Sequence, residues 1–581
     1  MRNRGKVSTR WNSIHPADVL VLSWRNAGRR EFALILLLTA VPVMPMLLLG
    51  YQRGHDFDIH LESWMDASAQ FHQGILYPRW ASEANYGFGE PRFIFYPPAS
   101  WALGGLLGLI LPWIVVPAIF VWLSMILAAV GMRKLAADWL PPGGALIAAL
   151  LYALNPYLLV TAYTRCAYGE LLASVFFPFL LWGAFRISRD PAKGFAIVAI
   201  SFAAIWLANL PGGVIAAYAL ALVLVIVAVL RRSVQTMLYG SAAILTGFGL
   251  AAFALFPAVW EQKWVYIAGV VRPNQLPWAN FLFSHHSNMY RFNHFLSSLA
   301  VLLILGGVAS TIAARRMRHG TPALWWSLAS LCVLSGFLML PVSTVIWRVL
   351  PELRFVQFPW RWLFPLCTAA ALLGSFALAQ SKRQRILLPI LGLALIAVDA
   401  TIVCAKQVSP RFVTEIADKF HSGRGYAGLL EYTPLAGKER ILPADAPMIA
   451  PVDSSSQPSA ATPPGVNVEL WSPERKVIHA DVSQPTTIDL KLLAYPAWQA
   501  TVNGKPAALQ NNPQTGQLTL ELPAGASRTE IKFGKTWDRA VGKEISIAGG
   551  IALIAIWQLL VLSEKRATES REEEVVAEKA A

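Results

Sequence analysis

Charged side chains are scarce in this sequence. They make up 14% of its 581 residues, whereas hydrophobic residues make up 55%, and the mean hydropathy is +0.47. Soluble globular domains carry about 25% charged residues, so this composition excludes a soluble globule. We therefore predict a polytopic α-helical membrane protein that spends most of its length in lipid.

Acidic residues are scarcer than basic ones, at 34 against 49, which gives a formal net charge of +15. A charge of this sign raises the question of a nucleic-acid partner. The lysines and arginines, however, occur in doublets and triplets between apolar runs, and no basic stripe is interleaved with base-stacking aromatic residues. The sequence therefore predicts no nucleic-acid partner, and the basic clusters indicate membrane topology instead.

Cysteine is also rare. The four cysteines lie in or beside apolar stretches, and no two of them have Cys-x-x-Cys spacing. The histidines form no triad with zinc-ligand spacing. We therefore predict neither a disulfide framework nor a thiolate metal site. The cysteines are Cys166, Cys332, Cys367 and Cys404.

Twelve apolar runs are long enough to span a bilayer, which takes about 17–25 residues. They lie near residues 32–50, 114–132, 143–161, 170–187, 194–210, 211–230, 236–257, 293–313, 322–341, 362–380, 386–404 and 545–563. With twelve spans, every basic cluster falls on the side that the positive-inside rule makes cytoplasmic. Both termini are then cytoplasmic: a basic N-terminus at 1–31 and a tail at 564–581. The first run lacks a small-residue cleavage site, which predicts an uncleaved signal anchor.

A further apolar stretch, 99–111, is not counted as a span. Counting it would place Arg133 and Lys134 outside and invert every later loop against the positive-inside rule. It is predicted to be a juxtamembrane or re-entrant helix that starts at Pro97-Pro98. The membrane domain then covers residues 32–404, and its first outer loop covers 51–113.

The region after the eleventh apolar run changes character. Residues 405–543 are predicted to be extracytoplasmic, with a Ser/Pro/Ala linker at 453–464. Short runs of alternating apolar and polar residues follow, and Asn503-Gly504 is a hairpin signal. We predict a small β-sandwich at 465–535, tethered by the final span at 544–563.

The first outer loop is rich in groups that carry chemistry. On a helix Asp56 and His60 share one face, and Asp58 shares another with two further acids. A carboxylate beside an imidazole can take a proton, bind a divalent cation or hold a hydroxyl. The alternative is a loop whose charges only face water. The position of this loop directly against the membrane favours a functional site. The loop's titratable groups in this stretch are Asp56, Asp58, His60, Glu62 and Asp66.

Three motifs of this loop carry a family resemblance: Asp56-Phe57-Asp58, residues 74–80 and Tyr96-Pro97-Pro98. Through them the loop resembles the first extracytoplasmic loop of GT-C superfamily glycosyltransferases, which use polyprenyl-phosphate-linked sugars. Two departures are present: the acids are separated by Phe57, so either Asp56 or Asp58 can hold the catalytic role, and Ala99 stands where the family has leucine. The pairing with His60 favours Asp56.

More narrowly, nearly the whole chain is similar to a bacterial group labelled "6-pyruvoyl-tetrahydropterin synthase-related" membrane proteins. No pterin-synthase chemistry is evident in the sequence, because a zinc-binding histidine triad is missing. The stretches that match are GHDFDIH, LYPRW, GFGEP, FIFYPP, TRCAYGE, VQFPWRW, LEYTP and YPAWQATVNG.

The resemblance also implies a second acid. In GT-C enzymes an acidic residue of the second outer loop faces the first-loop acid, where the two flank a divalent cation or the acceptor. Glu170 has this position, so Asp56 and Glu170 are the predicted ligands of a divalent cation, Mg²⁺ or Mn²⁺. A purely structural role is open as well, because a helix N-terminus stabilises a carboxylate.

A lipid-linked sugar donor carries phosphate, so its site needs fixed positive charge near the membrane surface. Arg361 is the first candidate, since tryptophans of the interface belt flank it at the mouth of a span. An arginine that only snorkels to the interface is the alternative. The predicted substrate-binding residues are Arg165, Tyr168, Lys263, Arg361 and Tyr96, with Arg291 and Arg354 as further cations.

Other conspicuous residues are given simpler roles. The histidines His285, His286 and His294 are predicted to be loop or acceptor-contact residues because no acids are nearby in sequence. The tryptophans Trp80, Trp101 and Trp113 are predicted to lie in the interface belt.

These observations predict a membrane glycosyltransferase of the bacterial inner membrane. It would transfer a sugar from a polyprenyl-phosphate donor, at its outer face, to an extracytoplasmic glycan, lipid or protein. Two rival classes are open. A lipid or glycan transporter would need broken or charged spans in two repeated halves, and no internal repeat is found. A non-catalytic assembly factor would keep the fold while its acids were dispensable.

Overall fold

A computed structural model describes residues 16–287, 289–381, 384–404, 407–438, 442–452 and 462–580. Within these ranges the protein is mostly α-helical, with a β-domain between its last two long helices. The α-helices are Pro16–Ala40, Met44–Leu48, Phe57–His72, Arg92–Phe95, Pro98–Ile110, Val116–Ala136, Pro142–Ala153, Pro156–Val160, Tyr168–Arg186, Pro191–Ala208, Leu210–Arg231, Val234–Glu261, Tyr290–Ala313, Met317–Gly320, Pro322–Leu338, Thr344–Val349, Leu363–Gln380, Gln384–Cys404, Arg411–His421 and Trp537–Ala580. Of the predicted linker 453–464, residues 453–461 lie outside the described ranges, as do residues 1–15 of the basic N-terminus.

The protein is an integral membrane protein. Ten helical segments of the described chain are long and apolar enough to cross a bilayer. They are Gly28–Leu48, Val116–Ala136, Pro142–Arg165, Tyr168–Arg186, Pro191–Ala208, Leu210–Arg231, Val234–Trp264, Tyr290–Ala313, Pro359–Ala379 and Trp537–Arg566.

The predicted count of twelve spans is not reached. The run at 322–341 forms two helices, Pro322–Leu338 and Pro341–Val349, that are bent by 93°. Proline cannot continue a helix, so Pro341 starts the second piece. The run at 386–404 lies in the helix Gln384–Cys404. The apolar part of this helix, Ile390–Cys404, is too short to be counted as a membrane span. Among the described residues the count is therefore ten, or eleven if the bent pair is one span.

Two of the loops that carry basic clusters, those after Val116–Ala136 and Tyr168–Arg186, meet at one end of the helix bundle, where Arg186 pairs with Asp138. The Nε atom of Arg133 donates to Glu31 over 2.7 Å, and the backbone N–H of Ala192 donates to the side chain of Glu564 over 3.0 Å. These contacts join the first and last membrane helices to loops of the bundle. Both ends of the described chain therefore lie at the same end of the bundle.

The first outer loop folds as two packed helices. Trp64 of Phe57–His72 is fully buried, and a Cβ atom at Gly104 would come within 2.2 Å of its ring. Glycine at this position is what lets Pro98–Ile110 approach so closely. Pro98 is the first residue of that helix, at the start the sequence predicts.

The β-domain consists of two antiparallel sheets. The four-stranded sheet has the order Ile449–Pro451, Thr486–Leu493, Gln517–Leu522, Gln510–Asn511, and the five-stranded sheet has the order Val466–Ser472, Arg475–Val482, Gly525–Phe533, Trp498–Val502, Lys505–Ala507. Asn503 and Gly504 both have positive φ, at 50° and 77°, as a two-residue hairpin turn requires. A separate two-stranded ribbon pairs Tyr51–Gln52 with Val408–Ser409.

The first outer loop and the β-domain share one apolar core. Trp80 is 1% exposed, and its ring lies 5.3 Å from that of Trp498 and 5.8 Å from that of Tyr495. Trp101 is equally buried, beside Phe93 of the same loop. The prediction that Trp80 and Trp101 lie in the interface belt is therefore wrong, because their rings fill protein interiors instead of facing lipid.

An ion pair fixes the β-domain to the membrane helices. Glu261, at the end of Val234–Glu261, accepts hydrogen bonds from Arg539 over 2.7 and 2.9 Å. The hydroxyl of Tyr495, from the β-domain, donates to the same carboxylate. One buried carboxylate thus joins two membrane helices to the β-domain.

Candidate active site

The second outer loop places an arginine and a glutamate side by side. The membrane helix that begins at Pro142 ends in a wide turn, Thr161–Arg165, and Cys166 follows in the left-handed conformation, with φ of 53°. The next helix, Tyr168–Arg186, has Glu170 in its first turn, where the helix dipole favours a carboxylate. The reversal at Cys166 turns Arg165 back toward Glu170.

Both carboxylate oxygens of Glu170 have partners. The Nη1 atom of Arg165 donates to Oε1 over 2.8 Å, and the hydroxyl of Tyr157 donates to the same oxygen. The Nε atom of Arg361 donates to Oε2 over 3.0 Å. Glu170 is 5% exposed, so the residue orients two guanidinium groups inside the protein.

The Arg361 side chain has several partners besides Glu170. It lies in the short 3₁₀ helix Pro359–Trp362. Its Nη1 atom donates to the carbonyl of Val356 over 2.7 Å and to the Gln357 side chain over 3.2 Å, and its guanidinium lies 5.0 Å from the Phe358 ring. These contacts leave the arginine fixed and 9% exposed, unlike an interfacial arginine that snorkels into water.

The cluster brings two guanidiniums to one carboxylate. Arg165 and Arg361 both donate to Glu170, and the guanidinium of Arg165 also lies 4.4 Å from the centre of the Trp360 ring. The charge of Asp56 acts on both arginines as well, but among the described residues Glu170 is the only carboxylate to which the two guanidiniums donate hydrogen bonds. The arrangement is therefore suited to an anion placed against the two guanidiniums.

Asp56 stands at the edge of this cluster. Its backbone N–H donates to the carbonyl of Arg165 over 3.0 Å, and it is the residue before the helix Phe57–His72. Its side chain is partly exposed, and within the described part of the chain the carboxylate forms no hydrogen bond. The first-loop acid is thus close to both arginines yet free to meet a ligand.

The environment of Asp56 raises its pKa. Burial makes the largest contribution, because protein atoms surround most of the group, and the charges of Arg165 and Arg361 offset part of the rise. The carboxylates of Glu170 and Glu431 add to it. A carboxylate with a raised pKa is a stronger base than a solvated one.

Asp58 lies apart from this cluster. The Nη2 atom of Arg53 donates to its Oδ2 atom over 2.6 Å, and both side chains are well exposed. Of the two acids that the sequence left open, Asp56 is the one beside Arg165 and Arg361.

The side-chain pair predicted between Asp56 and His60 is not formed. Asp56 precedes the helix, so only its backbone carbonyl bonds to the N–H of His60, over 3.0 Å. The ring nitrogens of His60 lie 3.3 Å from the hydroxyl of Tyr96 and 3.2 Å from that of Ser100. Burial, and then the charge of Arg92, lower the pKa of His60 to about 3, so the ring is neutral.

Tyr96 and Tyr168 differ in their distance from the charges. Burial raises the pKa of Tyr96, and the charge of Asp56 adds to the rise. Tyr168 stacks on Trp64 at 5.3 Å and is 1% exposed. It belongs to the apolar interior of the first loop.

The other predicted cations lie elsewhere. The Nζ atom of Lys263 lies 3.5 Å from the centre of the Trp260 ring, and Arg291 and Arg354 contact the neighbouring aromatic residues Tyr290 and Phe355. All three cations are exposed. In the part of the chain that the structure describes, none of them forms a hydrogen bond or ion pair with Asp56 or Glu170.

A divalent cation does not fit the donor set. Three donors already occupy the oxygens of Glu170, and two guanidiniums adjoin Asp56, where a metal ion would be repelled. No group of three or more His, Cys, Asp or Glu side chains with the geometry of a metal site exists among the described residues. The rings of His285 and His294 lie 4.9 Å apart without a third such partner.

Three residues near the site were not predicted. Tyr157 and Gln357 bond to Glu170 and Arg361. Glu431 lies in the short helix Leu430–Tyr432, whose Tyr432 ring is 6.5 Å from that of Tyr96. Gln357 and Glu431 had a sequence signal, as parts of the VQFPWRW and LEYTP motifs, whereas Tyr157 had none.

A second buried ion pair has a structural role. Arg92 donates to Glu90 over 2.7 Å and to Ser63 over 2.9 Å, and its guanidinium lies 5.0 Å from the ring of Tyr426, whose hydroxyl donates to Asp66. This network fastens the first loop to the segment after Arg411–His421. It explains Asp66 without a catalytic role.

No protein-family model matches the sequence, and no curated protein matches it. Among solved structures the chain is similar to the oligosaccharyltransferase of Archaeoglobus fulgidus in the apo form, with a TM-score of 0.40 and 14% identity over 67% of this chain and 56% of that chain. It is similar to the archaeal oligosaccharyltransferase AglB of Archaeoglobus fulgidus in complex with an inhibitory peptide and a dolichol-phosphate, with a TM-score of 0.39 and 14% identity over 68% and 56%. It is also similar to the arabinofuranosyltransferase AftD from Mycobacteria, with a TM-score of 0.42 and 16% identity over 87% and 40%.

The chain spans about half the length of these solved structures. At these TM-scores and identities, the likenesses by themselves establish neither a shared fold nor a shared activity. The narrower resemblance to the "6-pyruvoyl-tetrahydropterin synthase-related" group is matched by none of them and stays a prediction.

Proposed function

We propose that this protein transfers a sugar from a polyprenyl-phosphate-linked donor to an acceptor outside the cytoplasm. The observation that carries the proposal is the pair of buried guanidiniums, Arg165 and Arg361, held on one glutamate beside a carboxylate that is free to bind. Phosphate oxygens are strong hydrogen-bond acceptors, and guanidiniums hold phosphate oxygens in pairs.

Different residues act on the two parts of the reaction, the attack by the acceptor and the departure of the phosphate. The hydroxyl oxygen of the acceptor attacks the anomeric carbon of the sugar and forms the new glycosidic bond. The bond between that carbon and the phosphate oxygen breaks, and its electron pair leaves with the polyprenyl phosphate. Arg165 and Arg361 stabilise the charge that develops on this leaving group.

Asp56 supplies the base. Its carboxylate takes the proton from the acceptor hydroxyl as the oxygen attacks, from the side opposite the phosphate, so the anomeric configuration inverts. Its partly exposed position leaves room for the acceptor. Glu170 is a positioning residue in this scheme, because its oxygens are occupied by Arg165, Arg361 and Tyr157.

The proposed site opens at the end of the bundle opposite the basic loops. We place this end on the outer face of a bacterial inner membrane and both termini in the cytoplasm, because short loops rich in lysine and arginine are cytoplasmic. A lipid-linked donor then enters from the outer leaflet, and the β-domain adjoins the acceptor.

A transfer assay with matched variants tests the function. The protein in nanodiscs is incubated with short-chain polyprenyl-phosphate sugars and a panel of cell-envelope glycan acceptors. We expect transfer by the natural protein, loss of transfer in Asp56→Asn, and retention in Asp58→Asn, whose acid is paired with Arg53. Equal transfer by the natural protein and Asp56→Asn would exclude Asp56 as the base. No transfer by the natural protein with any donor and acceptor of the panel would contradict the proposed function and favour a non-catalytic assembly factor.

A further inference from the structure

A second cavity lies where the β-domain meets the membrane domain. It is a cleft of about 680 Å³, within the range of about 300–1,000 Å³ typical of ligand sites. It is lined in part by the last strand of each sheet, Lys505–Ala507 in one and Gln510–Asn511 in the other. The polar and aromatic lining includes Lys263, Trp264, Gln499, Thr501, Gln510 and Asn511.

The lining has the chemistry of a saccharide site. The amides of Gln499, Gln510 and Asn511 can both donate and accept, as sugar hydroxyls do. The indole of Trp264 offers a flat apolar surface for the C–H face of a sugar ring. Lys263 is exposed, and among the residues that the structure describes no aspartate or glutamate lines the cleft. The ligand that fits this lining best is an anionic saccharide.

Trp264 is turned toward the β-domain and not toward lipid. Its ring meets that of Tyr495 edge to face at 5.5 Å. Trp260, one helical turn earlier, instead lies 4.6 Å from Trp537 of the last membrane helix. The two tryptophans at the outer end of Val234–Trp264 therefore face different surroundings, and only Trp264 lines the cleft.

One continuous wall joins the cleft to the candidate active site. Val265 and Pro434 form a β-bridge, and the N–H of Tyr266 donates to the carbonyl of Thr433 over 3.1 Å. Along this wall Leu435 lines the cleft, while Glu431 adds its charge to the surroundings of Asp56. Leu435 is four positions after Glu431 in the sequence, so their Cα atoms are at most roughly 14 Å apart.

We infer that this cleft binds an anionic oligosaccharide and holds it so that one end reaches Asp56. The inference rests on the proposed function in one respect, since it makes this saccharide the acceptor. It assigns Lys263 to the acceptor, whereas the sequence had assigned this lysine to the donor phosphate.

Binding to the full-length protein in nanodiscs tests the inference. The probes are tetragalacturonate, which is anionic, and maltotetraose, which is neutral, each titrated by calorimetry. We expect tetragalacturonate to bind more tightly and to weaken as salt rises. Lys263→Gln and Trp264→Ala should each weaken it about tenfold, the size of one charge or one aromatic contact.

Two further variants control for folding. Because Trp264 packs on Tyr495, Gln510→Ala, at an exposed edge strand, serves as a second cleft variant that leaves the core intact, and it should also weaken binding. Gln514→Ala is exposed and outside the cleft, and should bind as the natural protein does. Binding of neither probe, equal binding in all cleft variants, or capture of a peptide in the cleft would overturn the inference.

The same experiment separates this inference from the proposed function. Asp56→Asn should abolish transfer and leave tetragalacturonate binding unchanged. Transfer without saccharide binding would contradict the saccharide-binding role of the cleft but not the proposed transfer activity. Saccharide binding at the cleft without transfer by the natural protein would contradict the proposed glycosyltransferase activity and would still identify the cleft as a saccharide-binding site.

Discussion

Glu170 and Arg361 are 191 positions apart in the sequence, and a hydrogen bond of 3.0 Å joins Oε2 of the first to Nε of the second. The pair connects the start of one membrane helix to the entrance of another. Because Arg165 binds the other oxygen of Glu170 over 2.8 Å, a single carboxylate sets the positions of both cations of the site.

Replacing Glu170 tests this arrangement through stability. Glu170→Gln keeps the shape of the side chain but removes the charged carboxylate to which both buried guanidiniums donate. Removing one partner of a buried ion pair costs about 3–5 kcal/mol, so the unfolding temperature in detergent should fall markedly. Glu415→Gln is the control, because its contact with Arg53 is exposed and 3.7 Å long, and it should unfold as the natural protein does. Equal unfolding temperatures for the two variants would show that Glu170 does not hold the cluster.

Arg361 is expected to act on the donor. Arg361→Ala should lower kcat/KM for a short-chain polyprenyl-phosphate sugar about 10–100-fold, the size of one charge-assisted hydrogen bond. Arg361→Lys should lose less, because an ammonium keeps the charge but cannot hold two phosphate oxygens. Arg354→Ala is the matched control, since this arginine is exposed and contacts only the Phe355 ring. Equal donor use in all variants would reduce Arg361 to a structural residue.

The pH dependence of transfer should report on Asp56. A base works when it is deprotonated, and burial raises the pKa of Asp56. Activity should therefore rise with pH through a midpoint above the usual aspartate value of about 3.9. The charge of Arg361 lowers this pKa, so the midpoint of kcat/KM should move to higher pH in Arg361→Ala and stay in place in Arg354→Ala. A midpoint that is the same in all three proteins would exclude Asp56 as the titrating group.

Single-cysteine variants test which side of the membrane each loop faces. Cys404 is exposed and is replaced first, while the other three cysteines are buried. In that background Gln73→Cys should react with an impermeant thiol reagent applied to intact cells, and Lys134→Cys should react only after permeabilisation. Both positions are exposed. Labelling of both in intact cells would contradict the topology.

Local features of the site were predictable from the sequence. The first-loop acids, Arg165, Glu170 and Arg361 all follow from charge placed where a span begins or ends, since such placement is costly without a role. The bond between Glu170 and Arg361 did not follow, because it depends on how helices pack across 191 positions. Spacing also gave the wrong partner for His60: helical periodicity begins only after Asp56, so the two side chains do not lie on one helix face.

The tryptophans show a second limit. Trp80 and Trp101 are tryptophans in a loop beside a membrane span, as belt residues are, yet only 1% of each residue's surface is exposed. Aromatic rings fill protein cores as readily as membrane interfaces. Trp101 is covered by residues of its own loop such as Phe93. Trp80 is covered by the β-domain, a partner that comes much later in the chain.

That late arrival affects how the protein is made. Trp80 emerges early in synthesis, but its partners Tyr495 and Trp498 follow about 400 residues later, which at about 5–20 residues per second is roughly 20–80 s. During this interval the outer half of the first loop lacks the surface that covers it. Biogenesis must therefore keep an apolar loop outside the membrane from aggregating until the last membrane helix is inserted.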